Sequence, residues 1–198
     1  MSLHPSAKSS RPDDRLWAFC LDVYGQDGVA PACLALQDRH GMDVPLLLFV
    51  AWAGAEAGLA LSGQQMESAA RSASAWQGEV VTVLRGLRRR LKLDLAANPD
   101  AAVEALRNDI KRAELAAERI ELAALARIAE AWLAQGDVTD AEAAAVHNLA
   151  ACFRMFAGRN PDAAAAVELE TVARAAIARA ESASTPAACP TTRRGSSN

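Results

Sequence analysis

Residues Leu36 to Gly54 read LQDRHGMDVPLLLFVAWAG: a polar helix end, a turn, and then a run with no polar face from Pro45 to Gly54. A helix that is apolar all round must be enclosed on every side, by other helices or by lipid. From Val44 to Leu61 there are eighteen residues with one proline and one acid, Glu56, which touches the lower limit for a membrane span. Three features favour a protein core. An ionised Glu56 in lipid is costly, Ala and Gly dilute the run outside Leu46 to Phe49, and no Lys or Arg cluster flanks either end closely.

The rest of the chain supplies helices to do the enclosing. Ala dominates the apolar residues while Val, Ile, Thr and aromatics are sparse, which favours helix over strand. The reading is an all-α, single-domain bundle of about six to seven helices around the central apolar one. A chain of 198 residues suits one core. We expect a disordered lead over 1–12, a helical domain over 13–181 and a disordered tail over 182–198, whose small polar residues and prolines cannot bury a core. The lead lacks the apolar segment of a secretory signal, so the expected compartment is the cytoplasm. Cys20, Cys33 and Cys152 sit in apolar helical patterns and read as buried reduced thiols, although Cys20 and Cys33 are placed to meet in a hairpin; Cys189 lies in the tail.

Start and stop signals divide the domain. The first helix runs from about Asp13 to Tyr24, with Leu16, Trp17, Phe19, Cys20, Val23 and Tyr24 as its stripe, until Gly25 and Gly28 break it. The second ends at Gly41, a left-handed stop, and Asp43 is placed to cap the third ahead of Pro45. After a polar stretch from Ser62 to Ser74, a fourth helix carries Trp76, Val80, Val83, Leu84, Leu87, Leu91 and Leu95. Asn98-Pro99-Asp100 starts a long helix reaching Gln135, with Asn98 as cap and Pro99 in its first position. Its apolar residues Val103, Leu106, Ile110, Ala113, Ala117, Ile120, Ala124 and Ile128 form a coiled-coil-like seam. That seam serves equally well within the chain or in a homodimer. Thr139 and Glu142 match a capping box for a helix burying Val146, Leu149, Phe153 and Phe156. The final helix starts at Asn160-Pro161-Asp162 and carries Val167, Leu169, Val172 and Ile177.

Formal net charge is -3, so no global field argues for nucleic acid. Locally, Arg85, Arg88, Arg89, Arg90 and Lys92 precede Asn98, and Arg107, Lys111 and Arg112 follow it. A hairpin around Asn98 brings the two groups together. Either these side chains cover a helix surface and pair with Asp94, Glu104 and Asp109, or they meet an acidic partner: a protein, an RNA backbone or lipid headgroups. No aromatic residue interleaves the run, which weakens base stacking. Glu114, Glu118 and Glu121 read as a solvated acidic stripe with Lys111 paired to Glu114; di-iron bundles use such rows together with Glu-x-x-His pairs, which the chain lacks. Asp38, His40 and Asp43 form a metal-like grouping whose members already have local structural roles, and His147 stands alone in its helix. There is no phosphate loop, no nucleophile elbow and no Cys-His-Asp order. An enzyme is not supported, and no cofactor is expected.

Leu16-Trp17-x-Phe19, Tyr24, Gly28-Val29, Cys33-Leu34-x-Leu36-Gln37-Asp38, Gly41-x-Asp43-Val44 and Leu47-Leu48-Phe49-x-x-Trp52, with the basic run and Ala-Glu-Leu-Ala-Ala-Glu-Arg, resemble a family of short proteobacterial proteins of unknown function. The resemblance covers roughly Leu16 to Ala134. It implies a cytoplasmic bacterial protein and a helical fold, and it transfers no catalytic residues.

The residues support two functional expectations. The first is a non-enzymatic interaction or adaptor module that presents Arg85, Arg88, Arg89, Lys92, Arg107 and Lys111 to an acidic partner. The second is a bundle binding a small molecule or lipid in a pocket walled by Trp17, Tyr24, Phe49 and Trp52, with Gln37 or Glu56 as its polar contact.

Overall fold

A computed structural model describes residues 12–134 and 139–184. Their helices are α1 (Pro12–Tyr24), α2 (Val29–His40), α3 (Val44–Ala55), α4 (Gly63–Trp76), α5 (Thr82–Ala97), α6 (Ala101–Leu133), α7 (Ala141–Ala157) and α8 (Ala163–Ser184). A π-helical turn, Gln77–Val81, joins α4 to α5 without a break. With that rod counted once, the described residues form seven helices and no strand: an all-α bundle. Most of the two expected disordered ends, together with Gln135 and Cys189, lies outside the described residues.

Every residue of α3 is buried. The helix is the axis of the bundle, with α1, α6, α7 and α8 packed around it and α2 and α4 touching it more lightly. No described helix is long and apolar enough to cross a membrane. Gly41 ends α2 in the left-handed region at φ 66, where its N–H donates to the Gln37 carbonyl at 2.9 Å. Asp43 then takes the cap position of α3 with extended backbone, but its side chain makes no capping hydrogen bond. Cys20, Cys33 and Cys152 are buried free thiols.

The most extensive helix packing is α3 on α7, and Gly54 permits it. A Cβ built on Gly54 would stand 2.3 Å from the backbone nitrogen of Ala145. The chain leaving α3 is tied to α7 by Asn148, which is 0% exposed. Its side-chain nitrogen donates to the carbonyls of Val50 at 3.1 Å and Leu59 at 2.9 Å, and its oxygen accepts from the Leu61 N–H at 2.8 Å. One amide thus satisfies three backbone groups that lie out of reach of water.

Several helix starts differ from the sequence expectation. The polar stretch after Ser62 is itself helical: Ser62 and Gln65 form a capping box, and Met66, Ala69 and Ala73 give a narrow buried face. Asp100, not Asn98, caps α6, accepting from the N–H groups of Ala102 and Val103, while Asn98 closes α5. A carboxylate at that position gains from the helix dipole as well as from its two donors. Asp162 plays the same part for α8, accepting from Ala165. Asp140 caps α7 in place of Thr139, whose hydroxyl and N–H both donate to the Gly58 carbonyl at 2.9 Å. On α7 the buried face is Ala144, Ala145, Asn148, Leu149, Cys152 and Phe153, with Val146 left 52% exposed. Likewise Val167 of α8 faces outward.

Gly54→Ala should destabilise the protein by about 3 kcal/mol, since the methyl group meets α7 backbone that cannot rotate away. Urea unfolding followed by circular dichroism measures the difference.

Candidate ligand-binding groove

The expected seam of α6 is displaced around the helix. Leu106 and Ile120 are more than half exposed. The inward line runs instead through Ile110, Glu114, Ala117, Glu121, Leu125 and Ala129, at steps of three or four residues, so two glutamates occupy core positions. Glu114 is 5% and Glu121 1% exposed. The solvated stripe expected from sequence is therefore a buried one, and Glu114 pairs with arginines rather than with Lys111.

Those arginines come from α5. Arg85 donates from Nε to Glu114 at 3.0 Å and from Nη2 to Glu118 at 2.7 Å. Arg88 donates to both oxygens of Glu114. The π-helical turn upstream explains the aim, because one extra residue in a turn rotates the downstream side chains by about 100° relative to a regular helix. Just before it, the Trp76 indole N–H donates to the Ala117 carbonyl at 3.0 Å and holds the rod against α6. Burial alone would raise the Glu114 carboxyl, but hydrogen bonds from Arg88 and Arg85 outweigh it and hold the group below the usual range. In Glu118 burial prevails and the carboxyl is raised.

Beneath this layer Asp43 meets Glu121. With both ionised, Asp43 Oδ1 and the two Glu121 oxygens have no donor among the described residues. A proton on Glu121 supplies one. Burial first, and then the facing Asp43, push the Glu121 carboxyl far above its ordinary value of 4.5. Burial raises Asp43 as well, against the pull of Glu121 and Arg85. Burial and the facing carboxyl thus favour a proton held between the two groups.

Above the charged layer lies a groove of about 410 Å³ between α1, α2, α3, α5 and α6. Trp17, Leu21 and Tyr24 form one wall, Leu34 and Gln37 the next, Val44, Pro45 and Leu48 the base, and Leu115 and Leu122 the far side; Arg85, Arg88, Lys111, Glu114 and Glu118 supply the charge. The guanidinium of Arg119 lies over the Trp17 ring at 5.5 Å. The structure thus brings Trp17, Tyr24 and Gln37 together with Arg85, Arg88 and Lys111, residues that the sequence assigned to two separate sites.

The remaining candidates lie elsewhere. Phe49 and Trp52 are 0% and 2% exposed and belong to the core; of α3 only Val44, Pro45 and Leu48 reach the groove. Glu56 sits at the exposed end of α3. Arg89 pairs with Asp38 at 2.8 Å. Lys92 is exposed near the tip of the α5–α6 hairpin, and Arg107 is half-buried on α6; neither lines the groove. The expected pairs with Asp94 and Glu104 are replaced by Arg89 with Asp38, while Asp109 is taken by Arg112. Asp38, His40 and Asp43 are drawn apart: Asp38 to Arg89, His40 to an edge contact with Phe153 at 4.8 Å, and Asp43 to Glu121. Among the described residues no group of three or more His, Cys, Asp or Glu is arranged to hold a metal ion. His147 is exposed. Sequence reasoning missed the Asp43–Glu121 pair; its available signal was that Glu114 and Glu121 fall in line with Ile110 and Ala117.

A group whose acid form is favoured by folding stabilises the protein at low pH and loses that contribution as pH rises toward its raised value. Wild-type stability should therefore decline as pH climbs from the ordinary carboxylate value of 4.5. Glu121→Gln keeps a donor toward Asp43 without needing a proton. Its melting temperature should exceed that of wild type at pH 8, the gap closing toward pH 5; parallel profiles would show that the pair holds no extra proton.

A family model described as "Protein of unknown function (DUF2390)" matches residues 15–125. That span holds every residue lining the groove and both members of the buried acid pair. No curated protein and no solved structure matches the chain. Since the matched span exceeds half of the sequence, the chain belongs to the DUF2390 family of proteins of unknown function.

Proposed function

We propose that the protein is a non-enzymatic binding module that holds one small amphipathic molecule in the groove between α1, α2, α3, α5 and α6. The observation that carries this reading is the composition of the cavity. Aromatic and aliphatic side chains form most of its lining, and one charged cluster is gathered on α5 and α6. Its volume of about 410 Å³ falls within the range of small-molecule sites, about 300–1,000 Å³.

A neutral environment-sensitive dye, N-phenylnaphthylamine, should bind wild type at one molecule per chain with enhanced fluorescence. Leu115 is 47% exposed, so Leu115→Trp can fill the groove at little cost to folding, and it should weaken the dye by about tenfold or more. Equal binding by the two proteins, with folding intact, would remove the reading.

A second reading, a basic face for an acidic partner, is supported by the α5–α6 hairpin. No residue of α5 is buried, and exposed Arg90 and Lys92 have no ion pair among the described residues. Arg85 and Arg88 no longer serve it, since Glu114 and Glu118 engage them. This reading predicts salt-sensitive retention on heparin that is lost in Arg90→Ala/Lys92→Ala.

A further inference from the structure

Three donors along the groove are left without an acceptor among the described residues. Glu114 is engaged by two arginines, and one oxygen of Glu118 by Arg85. In contrast, the Gln37 side-chain nitrogen is buried and has no partner. Arg88 commits Nε and Nη2 to Glu114 and leaves Nη1 uncommitted among the described residues. Lys111 makes no ion pair among them. All three residues line the same cavity. A buried donor without an acceptor is costly, so Gln37 favours a group that only accepts, and the partly exposed Arg88 and the exposed Lys111 can turn to the same group.

Charge narrows the choice. Arg85, Arg88 and Lys111 against Glu114 and Glu118 leave one positive charge uncompensated along the lining. That charge is local to the lining, since Asp43 and Glu121 lie beneath it and contribute no group to the cavity. One negative charge on a ligand is accommodated there, whereas a doubly charged phosphate is repelled by the carboxylates that share the site.

Resting on the binding reading, we propose that the groove takes monocarboxylates with a hydrocarbon body: the carboxylate accepts from Gln37, Arg88 and Lys111, and the tail lies against the apolar wall.

Displacement of N-phenylnaphthylamine by dodecanoate, dodecanol, dodecylamine and dodecyl phosphate, each below its micelle concentration, tests this. All four carry the same tail, so the comparison isolates the head. Dodecanoate should displace the dye at about a tenth of the dodecanol concentration, the scale of one charge-assisted hydrogen bond, with the amine and the phosphate weaker still. Lys111→Met and Gln37→Glu should each bring the dodecanoate-to-dodecanol affinity ratio toward one; the ratio cancels general damage to the groove. Dye binding with no preference among heads, a preference for the amine or the phosphate, or an unchanged ratio in both variants overturns the carboxylate assignment while leaving the binding reading in place. Failure of wild type to bind the dye or any of the four overturns both.

Discussion

The structure depends on the enclosure of one helix. Every residue from Val44 to Ala55 is buried, and burying each large aliphatic or aromatic residue there is worth about 1.5–3 kcal/mol. That gain exists only if neighbours cover the whole circumference, so α1, α6, α7 and α8 are set by what α3 needs. Small residues decide how closely they come. Gly54 admits the α7 backbone to a distance no side chain would allow, and Asn148 then satisfies the carbonyls and the amide that this approach removes from water.

A second constraint arises from the first. The side of α6 that turns inward presents glutamates where a simple bundle would place leucine, and a buried carboxylate is tolerated only with strong partners or with a proton. Both solutions appear within three turns of α6. Glu114 is held toward its ionised form by Arg88 and Arg85, while burial and the facing Asp43 push Glu121 toward its protonated form. The arginines tie α5 to α6, although α5 buries no residue of its own. Between this charged hairpin and the apolar surfaces of α1, α2 and α3 lies the groove, so the same ion network shapes the fold and charges the site.

Much of the helical layout is legible in the sequence. The all-round apolar run at α3, the stop at Gly41 and the hairpin around Asn98 each express a local rule of hydrophobic patterning or backbone conformation. Caps are less legible: in Asn-Pro-Asp both polar residues can cap, and Asp100 and Asp162 do so because their carboxylates reach the free amides beyond the proline. The polar stretch after Ser62 conceals a helix because its buried face consists of little more than Met66, Ala69 and Ala73. The seam of α6 is misread for a related reason. Apolar residues alone point to Ile120, whereas the inward line passes through Glu121 one position later.

The site is less legible than the fold. Trp17, Tyr24 and Gln37, and separately Arg85, Arg88 and Lys111, are recognisable as chemistry-bearing residues, but nothing in their spacing says that they face one cavity. By itself the sequence determined an all-helical chain with one helix that had to be buried, because the periodicity of apolar residues and the backbone limits of Gly and Pro act over a few neighbouring positions. The tertiary structure decided which carboxyls are buried, which arginines neutralise them and which apolar residues remain at the groove. Those outcomes depend on the rotation of α5 and α6 about their own axes, and only contacts between helices distant in sequence fix that rotation.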